Sequence, residues 1–192
     1  MITFVRHAQS AANAGEPTQS PESIVLTDRG NHQAEEFAKG WLDRPHRILS
    51  SPFVRAVQTA KPLAHKFQLP IGLAPVQEFT YLSPLKCAGT TAADRRAWVD
   101  RYWDVSDPEL RDGPGAETFK EFVGRTRVAL QVLSEHSSEN VVVFCHGQVM
   151  QLVRWLHSGR GLVLDHCAMR DFRAFDLERP FHNCELYELS AG

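Results

Sequence analysis

Long apolar runs and paired cysteines are both missing from this sequence of 192 residues. Nothing near eighteen consecutive apolar residues occurs, so no transmembrane helix is predicted. The four cysteines, Cys87, Cys145, Cys167 and Cys184, form no CxxC pair and are too few for a disulfide scaffold. The first residues lack the basic and apolar regions of a signal peptide. We therefore expect a cytoplasmic protein that makes no contact with a membrane.

An excess of charge of either sign is also lacking. Lys and Arg number 21 and Asp and Glu number 23, which gives a net charge of −2. This balance argues against general nucleic-acid binding, although it permits a local basic pocket. An apolar content of 43% and a charged content of 23% are typical of a globular protein, and the length suits one domain over residues 1–192.

Strand-like and helix-like segments alternate along the chain. Val141–Cys145 is the clearest buried strand, and Thr27-Asp28 is a typical helix start. The other strands are predicted at residues 3–6, 47–50, 71–76, 174–177 and 184–189, the last of them as a candidate edge strand. Helices are predicted at residues 28–42, 52–67 (capped by Ser51), 117–135 and 148–157. Such alternation predicts βαβ units and a mostly parallel sheet with helices on both faces.

Residues from about 79 to 115 interrupt this alternation, and a segment of that length is typical of a lid or a binding element. We expect the choice of substrate to be made there. Its large aromatic residues, which suit either the core of a lid or a platform for stacking bases, are Trp98, Tyr102 and Trp103. Its candidates for binding a second anionic group of a substrate are Lys86, Arg95 and Arg96.

Polar residues of related chemistry follow three of the predicted strands. Arg6 and His7 end the first strand, Ser51 follows the second with Arg55 close behind it, and His146 follows Val141–Cys145. The carboxyl ends of parallel strands share one crevice, so these side chains are expected to converge there.

Two arginines and two histidines in one crevice suit a phosphoryl group, because each guanidinium group can donate two parallel hydrogen bonds to phosphate oxygens. A neutral imidazole can attack phosphorus, and the cations can stabilise the charge on the phosphoryl oxygens. A leaving alkoxide also needs a proton, and Glu78 stands just after the third predicted strand, where such an acid is required.

Four short motifs, in the right order over nearly the whole chain, resemble those of the histidine phosphatase (phosphoglycerate mutase-like) superfamily. The first is Arg6-His7-Ala8-Gln9-Ser10 with Asn13, Leu26-Thr27-Asp28-Arg29-Gly30 and Gln33-Ala34. The second is Ser50-Ser51-Pro52-Phe53-Val54-Arg55-Ala56-Val57-Gln58-Thr59-Ala60, the third is Val143-Phe144-Cys145-His146-Gly147, and the last is Asn183-Cys184.

The resemblance implies an α/β fold, a three-layer α/β/α sandwich with a lid-like insertion, and no metal or organic cofactor. It implies a histidine acid phosphatase-type phosphomonoesterase acting on a phosphorylated small molecule or a phosphoprotein. The residues that it assigns are His7 as the phosphorylated nucleophile, Arg6, Arg55 and His146 as the phosphate pocket, Asn13 as a supporting contact and Glu78 as the proton donor. Mutase-type phosphoryl transfer and a non-catalytic phosphate-binding module remain alternatives.

Two positions depart from the pattern of the superfamily. Ala8 replaces the usual glycine after the nucleophile, so a methyl group lies where the backbone turns under the phosphate. Gln9 replaces the usual acid, which removes a charge that mutase-like relatives use in proton transfer and favours a phosphatase.

Two other parts of the sequence are rival candidates for the site. A metal site on His7 and His146 is disfavoured by the neighbouring arginines and by the lack of a further ligand in the usual spacing. His166-Cys167 with Arg173 matches the HC-x5-R spacing of cysteine-dependent phosphatases. Its intervening residues are bulky, and residues 175–180 read as strand and turn rather than helix, so Cys167 is interpreted as structural.

Overall fold

The computed structural model describes residues 1–136 and 138–189, and these residues are built around one five-stranded sheet. The strands are β1 (Ile2–Arg6), β2 (Arg47–Ser50), β3 (Ile71–Leu73), β4 (Val141–Cys145) and β5 (Leu186–Leu189). Their order is β3-β2-β4-β1-β5. The first four are parallel to one another, and β5 pairs antiparallel with β1 at the edge of the sheet. The prediction of a mostly parallel sheet is confirmed.

Helices cover both faces of this sheet. They are α1 (Asp28–Gly40), α2 (Val54–Phe67), α3 (Pro84–Cys87), α4 (Arg96–Val105), α5 (Phe119–Ser134), α6 (Gly147–His157) and α7 (His166–Glu178). Val142 and Phe144 of β4 pack toward α1 and α2, whereas Val141 and Val143 pack toward α5, α6 and α7. The three-layer α/β/α sandwich is therefore confirmed. No helix in the described part of the chain is long and apolar enough to cross a membrane.

The central position of β4 follows from its composition. All five of its residues are buried, because a run of Val, Phe and Cys finds apolar neighbours on both faces of a covered parallel sheet. Strand β4 lies between β1 and β2, with Arg6 opposite Cys145 and Ser50 opposite Phe144. The residues that follow these three strands therefore leave the sheet side by side.

Helix α2 and strand β3 differ in length from their predictions. Helix α2 begins at Val54 rather than at Pro52, and Ser51 does not cap it. The Ser51 hydroxyl oxygen instead accepts a hydrogen bond from the Phe53 amide at 3.2 Å and bonds His146. Strand β3 ends at Leu73, three residues early, as Pro75 cannot donate to a ladder.

Residues 174–177 form no strand, and that prediction was wrong. They lie within α7, which starts where the Asp165 carboxylate accepts a hydrogen bond from the Ala168 amide at 2.8 Å. Met169 and Phe172 of this helix are fully buried in the core, a spacing of three residues that suits a helix and not a strand.

The insertion at residues 79–115 contains α3 and α4. Tyr102 and Trp103 of α4 are buried against Phe79, and the Tyr102 and Trp103 rings meet at 5.4 Å. Trp98 is partly buried with the Lys86 ammonium 5.0 Å from its ring centre. The aromatic residues are thus the core of this insertion, and Tyr102 and Trp103 cannot stack on a base.

Gly30 allows the first turn of α1 to lie directly on the loop that follows β1. A Cβ atom at this position would lie 2.0 Å from the Gln9 carbonyl oxygen and 3.2 Å from the Leu26 Cβ. The same carbonyl accepts a hydrogen bond from the Thr27 amide at 3.0 Å. Backbone therefore touches backbone here, so neither side can move away from an added methyl group.

We predict that Gly30→Ala lowers the free energy of unfolding by about 1–3 kcal/mol, because overpacking outweighs the better helix propensity of alanine. Urea unfolding measures this change. Gly124→Ala in α5 is the matched control, because no atom lies within 4 Å of its added Cβ. This control should be neutral or up to about 1 kcal/mol more stable. A Gly30→Ala protein as stable as the control would contradict the packing described.

Candidate active site

Three strand ends build one crevice at the carboxyl edge of the sheet. His7 follows β1, Ser51 follows β2 and His146 follows β4. The His7 and His146 rings lie edge to face with their centres 5.1 Å apart, and the Ser51 hydroxyl lies 2.8 Å from the His146 Nε2. The convergence predicted for the strand ends is therefore present.

His7 is held as a neutral imidazole of defined tautomer. Its side chain is 3% exposed, and its Nδ1–H donates to the Ala8 carbonyl oxygen at 2.7 Å. The other nitrogen, Nε2, accepts a hydrogen bond from the Arg55 Nε at 3.1 Å. Burial lowers the pKa of His7 well below its usual value, and the charges of Arg55 and Arg6 lower it further. The Nε2 lone pair carries no proton, so a neutral imidazole in this arrangement could act as a nucleophile.

His146 is also buried and neutral, since burial first and the Arg55 charge second lower its pKa well below the ordinary value. The Ser51 oxygen accepts from the Phe53 amide, and we assign its hydroxyl proton to the bond with the His146 Nε2. The proton of His146 then resides on Nδ1, a buried atom without a protein partner in the described structure. His146 thus offers an N–H donor to an anion.

The two arginines lie beside the histidines with few acidic partners. Arg55 is 5% exposed, and its Nη1 donates to the Pro21 carbonyl oxygen at 2.6 Å. Burial lowers the pKa of Arg55 to about 10, so this group remains a cation at neutral pH. Arg6 donates through Nη1 to the Phe181 carbonyl oxygen, and its buried Nε has no protein partner. Both guanidinium groups retain capacity for an anion.

Glu78 stands five residues after β3 at the edge of the same crevice. Its Oε1 accepts a hydrogen bond from the Phe79 amide at 3.3 Å. Burial raises the pKa of the Glu78 carboxyl, although the charges of Arg55 and Arg6 oppose this rise. A carboxyl with a raised pKa next to a phosphate pocket is suited to donate a proton.

Asn13 is exposed and organises the loop after β1. Its Oδ1 accepts from the Ser10 amide at 3.3 Å and from the Asn183 Nδ2 at 3.2 Å. Asn183 also donates to the His7 carbonyl oxygen at 2.8 Å, which fixes the backbone of His7. The sequence motif contains Asn183, but its contact with His7 joins residues 176 positions apart in the chain and has no local signal.

Thr59 is a second supporting residue that sequence reasoning missed. Its hydroxyl oxygen accepts a hydrogen bond from the Ala8 amide at 3.0 Å, and the hydroxyl donates to the Arg55 carbonyl oxygen at 2.7 Å. One side chain therefore links the loop of His7 to the helix of Arg55. Its position four residues after Arg55, on the same face of α2, is the signal that could have revealed it.

The two departures from the superfamily pattern have simple places in the structure. Ala8 keeps a negative φ, and its methyl group packs with Leu26 and Ala34, so it causes no strain in the turn. The Gln9 side chain accepts a hydrogen bond from the Thr27 hydroxyl at 2.9 Å. Gln9 therefore serves the start of α1.

The two rival candidates, the cysteine site at Cys167 and the metal site at His7 and His146, lack the geometry that their chemistry requires. Cys167 is exposed on α7, so its neighbouring amides belong to a helix and form no phosphate-binding loop. The prediction of strand and turn at residues 175–180, one of the two arguments against Cys167, was wrong, because residues 175–178 are helical. Arg173 pairs with Asp176 at 3.1 Å. Across residues 1–136 and 138–189, no group of three or more His, Cys, Asp or Glu residues is arranged to hold a metal ion.

A model of the histidine phosphatase superfamily (branch 1) matches residues 2–187. Curated proteins give no match to the chain.

Solved structures of low sequence identity share the fold. A mycobacterial glucosyl-3-phosphoglycerate phosphatase superposes with a TM-score of 0.72 at 19% identity, over 96% of this chain and 87% of that one. A phosphoserine phosphatase mutant from Entamoeba histolytica, in complex with phosphoserine, gives a TM-score of 0.73 at 17% identity over the same shares. The alpha-ribazole phosphatase from Shigella flexneri gives 0.72 at 19%, again over 96% and 87%. At these identities the likeness establishes the fold.

We predict that burial of His7 makes stability depend on pH. Because the pKa of His7 is lowered by folding, His7 binds a proton near pH 6.5 in the unfolded state but remains neutral there in the folded state. The free energy of unfolding contributed by this group is therefore fully present above pH 6.5 and is lost as the pH falls below it. His7→Gln should reduce the slope by up to about 1.4 kcal/mol per pH unit in urea unfolding between pH 6.5 and 5. His32→Gln on the exposed side of α1 is the matched control, and equal slopes in the two variants would contradict a neutral, buried His7.

Proposed function

The chain belongs to the histidine phosphatase superfamily, and we propose that it hydrolyses phosphomonoesters through a covalent phosphohistidine on His7. The observation that carries the proposal is the contact between the neutral His7 Nε2 and the Arg55 guanidinium at 3.1 Å. A nucleophilic lone pair and a phosphate-binding cation meet at one point, and that point is where a phosphorus atom has to be placed.

A phosphate dianion binds, in this proposal, by replacing neutral partners with charged oxygens. Arg55 exchanges the His7 lone pair for a phosphate oxygen, which frees Nε2 to face phosphorus. The unpartnered Arg6 Nε and His146 Nδ1 supply two further donors. The first turn of the eleven-residue helix α6 begins beside them, and its amide groups favour the same anion.

Attack then forms a bond from His7 Nε2 to phosphorus while the bond from phosphorus to the ester oxygen breaks. Glu78 gives its proton to that oxygen, so the alcohol leaves neutral. The Ala8 carbonyl oxygen, 2.7 Å from Nδ1, stabilises the positive charge that develops on the imidazole. In the second step, water gives a proton to the Glu78 carboxylate and attacks phosphorus, and the bond to Nε2 breaks.

Hydrolysis is favoured over mutase-type transfer by the residue at position 9. The Gln9 side chain is bonded to Thr27 at the start of α1, so Glu78 is the acid that remains beside the crevice. The similar structures also support hydrolysis by their names, which are glucosyl-3-phosphoglycerate phosphatase, phosphoserine phosphatase and alpha-ribazole phosphatase. A non-catalytic module would have no use for a carboxyl group with a raised pKa at the position of Glu78. Independence of metal and organic cofactors, a single domain over 1–192 and a cytoplasmic location stay predictions.

We predict that His7→Ala lowers kcat by roughly 10⁴-fold or more, because no other group is placed to attack phosphorus. Phosphate release from p-nitrophenyl phosphate measures this loss. Rapid quench with a labelled ester should trap an acid-labile, alkali-stable phosphoenzyme in the parent protein and in Cys167→Ser, and none in His7→Ala. A label that survives in His7→Ala, or that disappears in Cys167→Ser, would refute the assigned nucleophile.

We predict that Glu78→Gln separates esters by their leaving groups. An alkyl phosphate needs the proton from Glu78, so its kcat should fall roughly 10²- to 10⁴-fold. An activated aryl phosphate leaves as a stable phenolate, and its kcat should fall less than about tenfold. The activated ester is the internal control for folding and binding, and equal losses on both esters would remove Glu78 from the role of acid.

A further inference from the structure

A cavity of about 260 Å³ opens from the proposed phosphate pocket toward the insertion at residues 79–115. Arg55 and Glu78 form its inner end, and the loop of residues 18–21 and helix α4 form its sides. An ester that has its phosphate on Arg55 and its bridging oxygen near Glu78 therefore has room for its leaving group in this space.

The wall of the cavity is largely apolar. Its side chains include those of Ile24, Phe79, Leu82, Pro84 and Val99. An apolar group placed against them gains free energy in proportion to the area that it hides from water. A carboxylate or phosphate placed against these apolar side chains would lose its hydration without gaining a partner from them.

Arg95 is the one charged residue besides Arg55 and Glu78 among the described residues that line the cavity. Its Nη2 donates to the Thr18 hydroxyl and the Thr90 carbonyl oxygen, each at 2.6 Å, and to the Cys87 carbonyl oxygen at 3.2 Å. Its Nε donates to the Thr90 hydroxyl at 2.7 Å. Arg95 thus joins the insertion to the loop after β1, which is a structural task.

The other cations of the insertion are directed elsewhere. Lys86 pairs with Asp112 at 2.5 Å and lies over the Trp98 ring. Arg96 is exposed at the start of α4 and does not line the cavity. The contacts of Lys86 and Arg95 and the position of Arg96 therefore argue against the expected binding of a second anionic group of the substrate.

We infer that the cavity selects esters whose leaving group is uncharged and apolar, with about the bulk of a single aromatic ring. The inference rests on the proposed function for the identity of the bound phosphate. It deepens that function by assigning recognition of phosphate to the strand ends and choice of the leaving group to the insertion.

Non-hydrolysable phosphonates test the cavity without any need for turnover. Calorimetry with ethylphosphonate, benzylphosphonate and 4-carboxybenzylphosphonate compares a small, an apolar and a charged group on one phosphate mimic. Benzylphosphonate should bind at least about tenfold more tightly than ethylphosphonate, because the ring is removed from water. The added carboxylate should abolish most of that gain.

A pair of variants in α4 locates the effect. Val99→Asp places a carboxylate in the wall and should remove the advantage of benzylphosphonate while leaving ethylphosphonate within about twofold. Val105→Asp makes the same change at an exposed position of the same helix that does not line the cavity, and it should keep the advantage. Circular dichroism of both variants checks that α4 remains folded.

The outcomes separate this inference from the function on which it rests. Tighter binding of the carboxylated compound than of benzylphosphonate would overturn the inference and return Arg95 to the role of an anion site. Equal binding of all three would also overturn it, even if p-nitrophenyl phosphate is hydrolysed. Preferential binding of benzylphosphonate without hydrolysis of any ester would support the apolar cavity and refute the proposed phosphatase activity.

Discussion

The parallel pairing of β1 with β4 is the constraint on which the site depends. It places Arg6 opposite Cys145, so His7 and His146 leave the sheet as neighbours with ring centres 5.1 Å apart. A shift of one residue would reverse the faces of every side chain in the strand and bury polar groups against apolar layers. The apolar residues of β1 and β4 thus fix the position of the histidines, although none of them touches a substrate. The packing that forms the core therefore also sets the geometry of the site.

Charge is the second constraint, and it acts against stability. Two guanidinium groups lie beside two imidazoles, and each imidazole remains neutral because burial and the nearby cations lower its pKa. Arg55 is held by neutral acceptors, namely the His7 Nε2 and the Pro21 carbonyl oxygen, and Arg6 by the Phe181 carbonyl oxygen. Such partners compensate burial of a cation less fully than a carboxylate would. A carboxylate in the same place would repel the phosphate that is proposed to bind here, because the two carry charge of the same sign.

The sequence was sufficient for the sheet and for the convergence of the strand ends, because both follow from local apolar pattern and from the rule that parallel strands share a carboxyl edge. The sequence was insufficient where the conformation or partner of a residue depends on a contact with a residue far away in the chain. The Ser51 hydroxyl leaves the cap of α2 for His146, 95 residues away, and Asn183 reaches His7 across 176 residues. Residues 174–177 alternate like a strand, but the cap at Asp165 and the burial of Phe172 place them in a helix. Short apolar segments do not distinguish the two periods by themselves.

The proposed function assigns the binding of phosphate to the sheet and the choice of leaving group to the insertion. The groups proposed to bind phosphate come from strand ends and the first turns of helices, where backbone hydrogen bonds and core packing leave little freedom. The cavity beyond Glu78 is formed by an insertion whose own aromatic core includes Tyr102 and Trp103 and which Arg95 fastens to the loop after β1. Substitutions in its wall can change the shape of the cavity without disturbing β1 or β4. In this proposal, recognition of the phosphate depends on the geometry of the sheet. The choice of leaving group depends on a few side chains of α4 and of the residues before it.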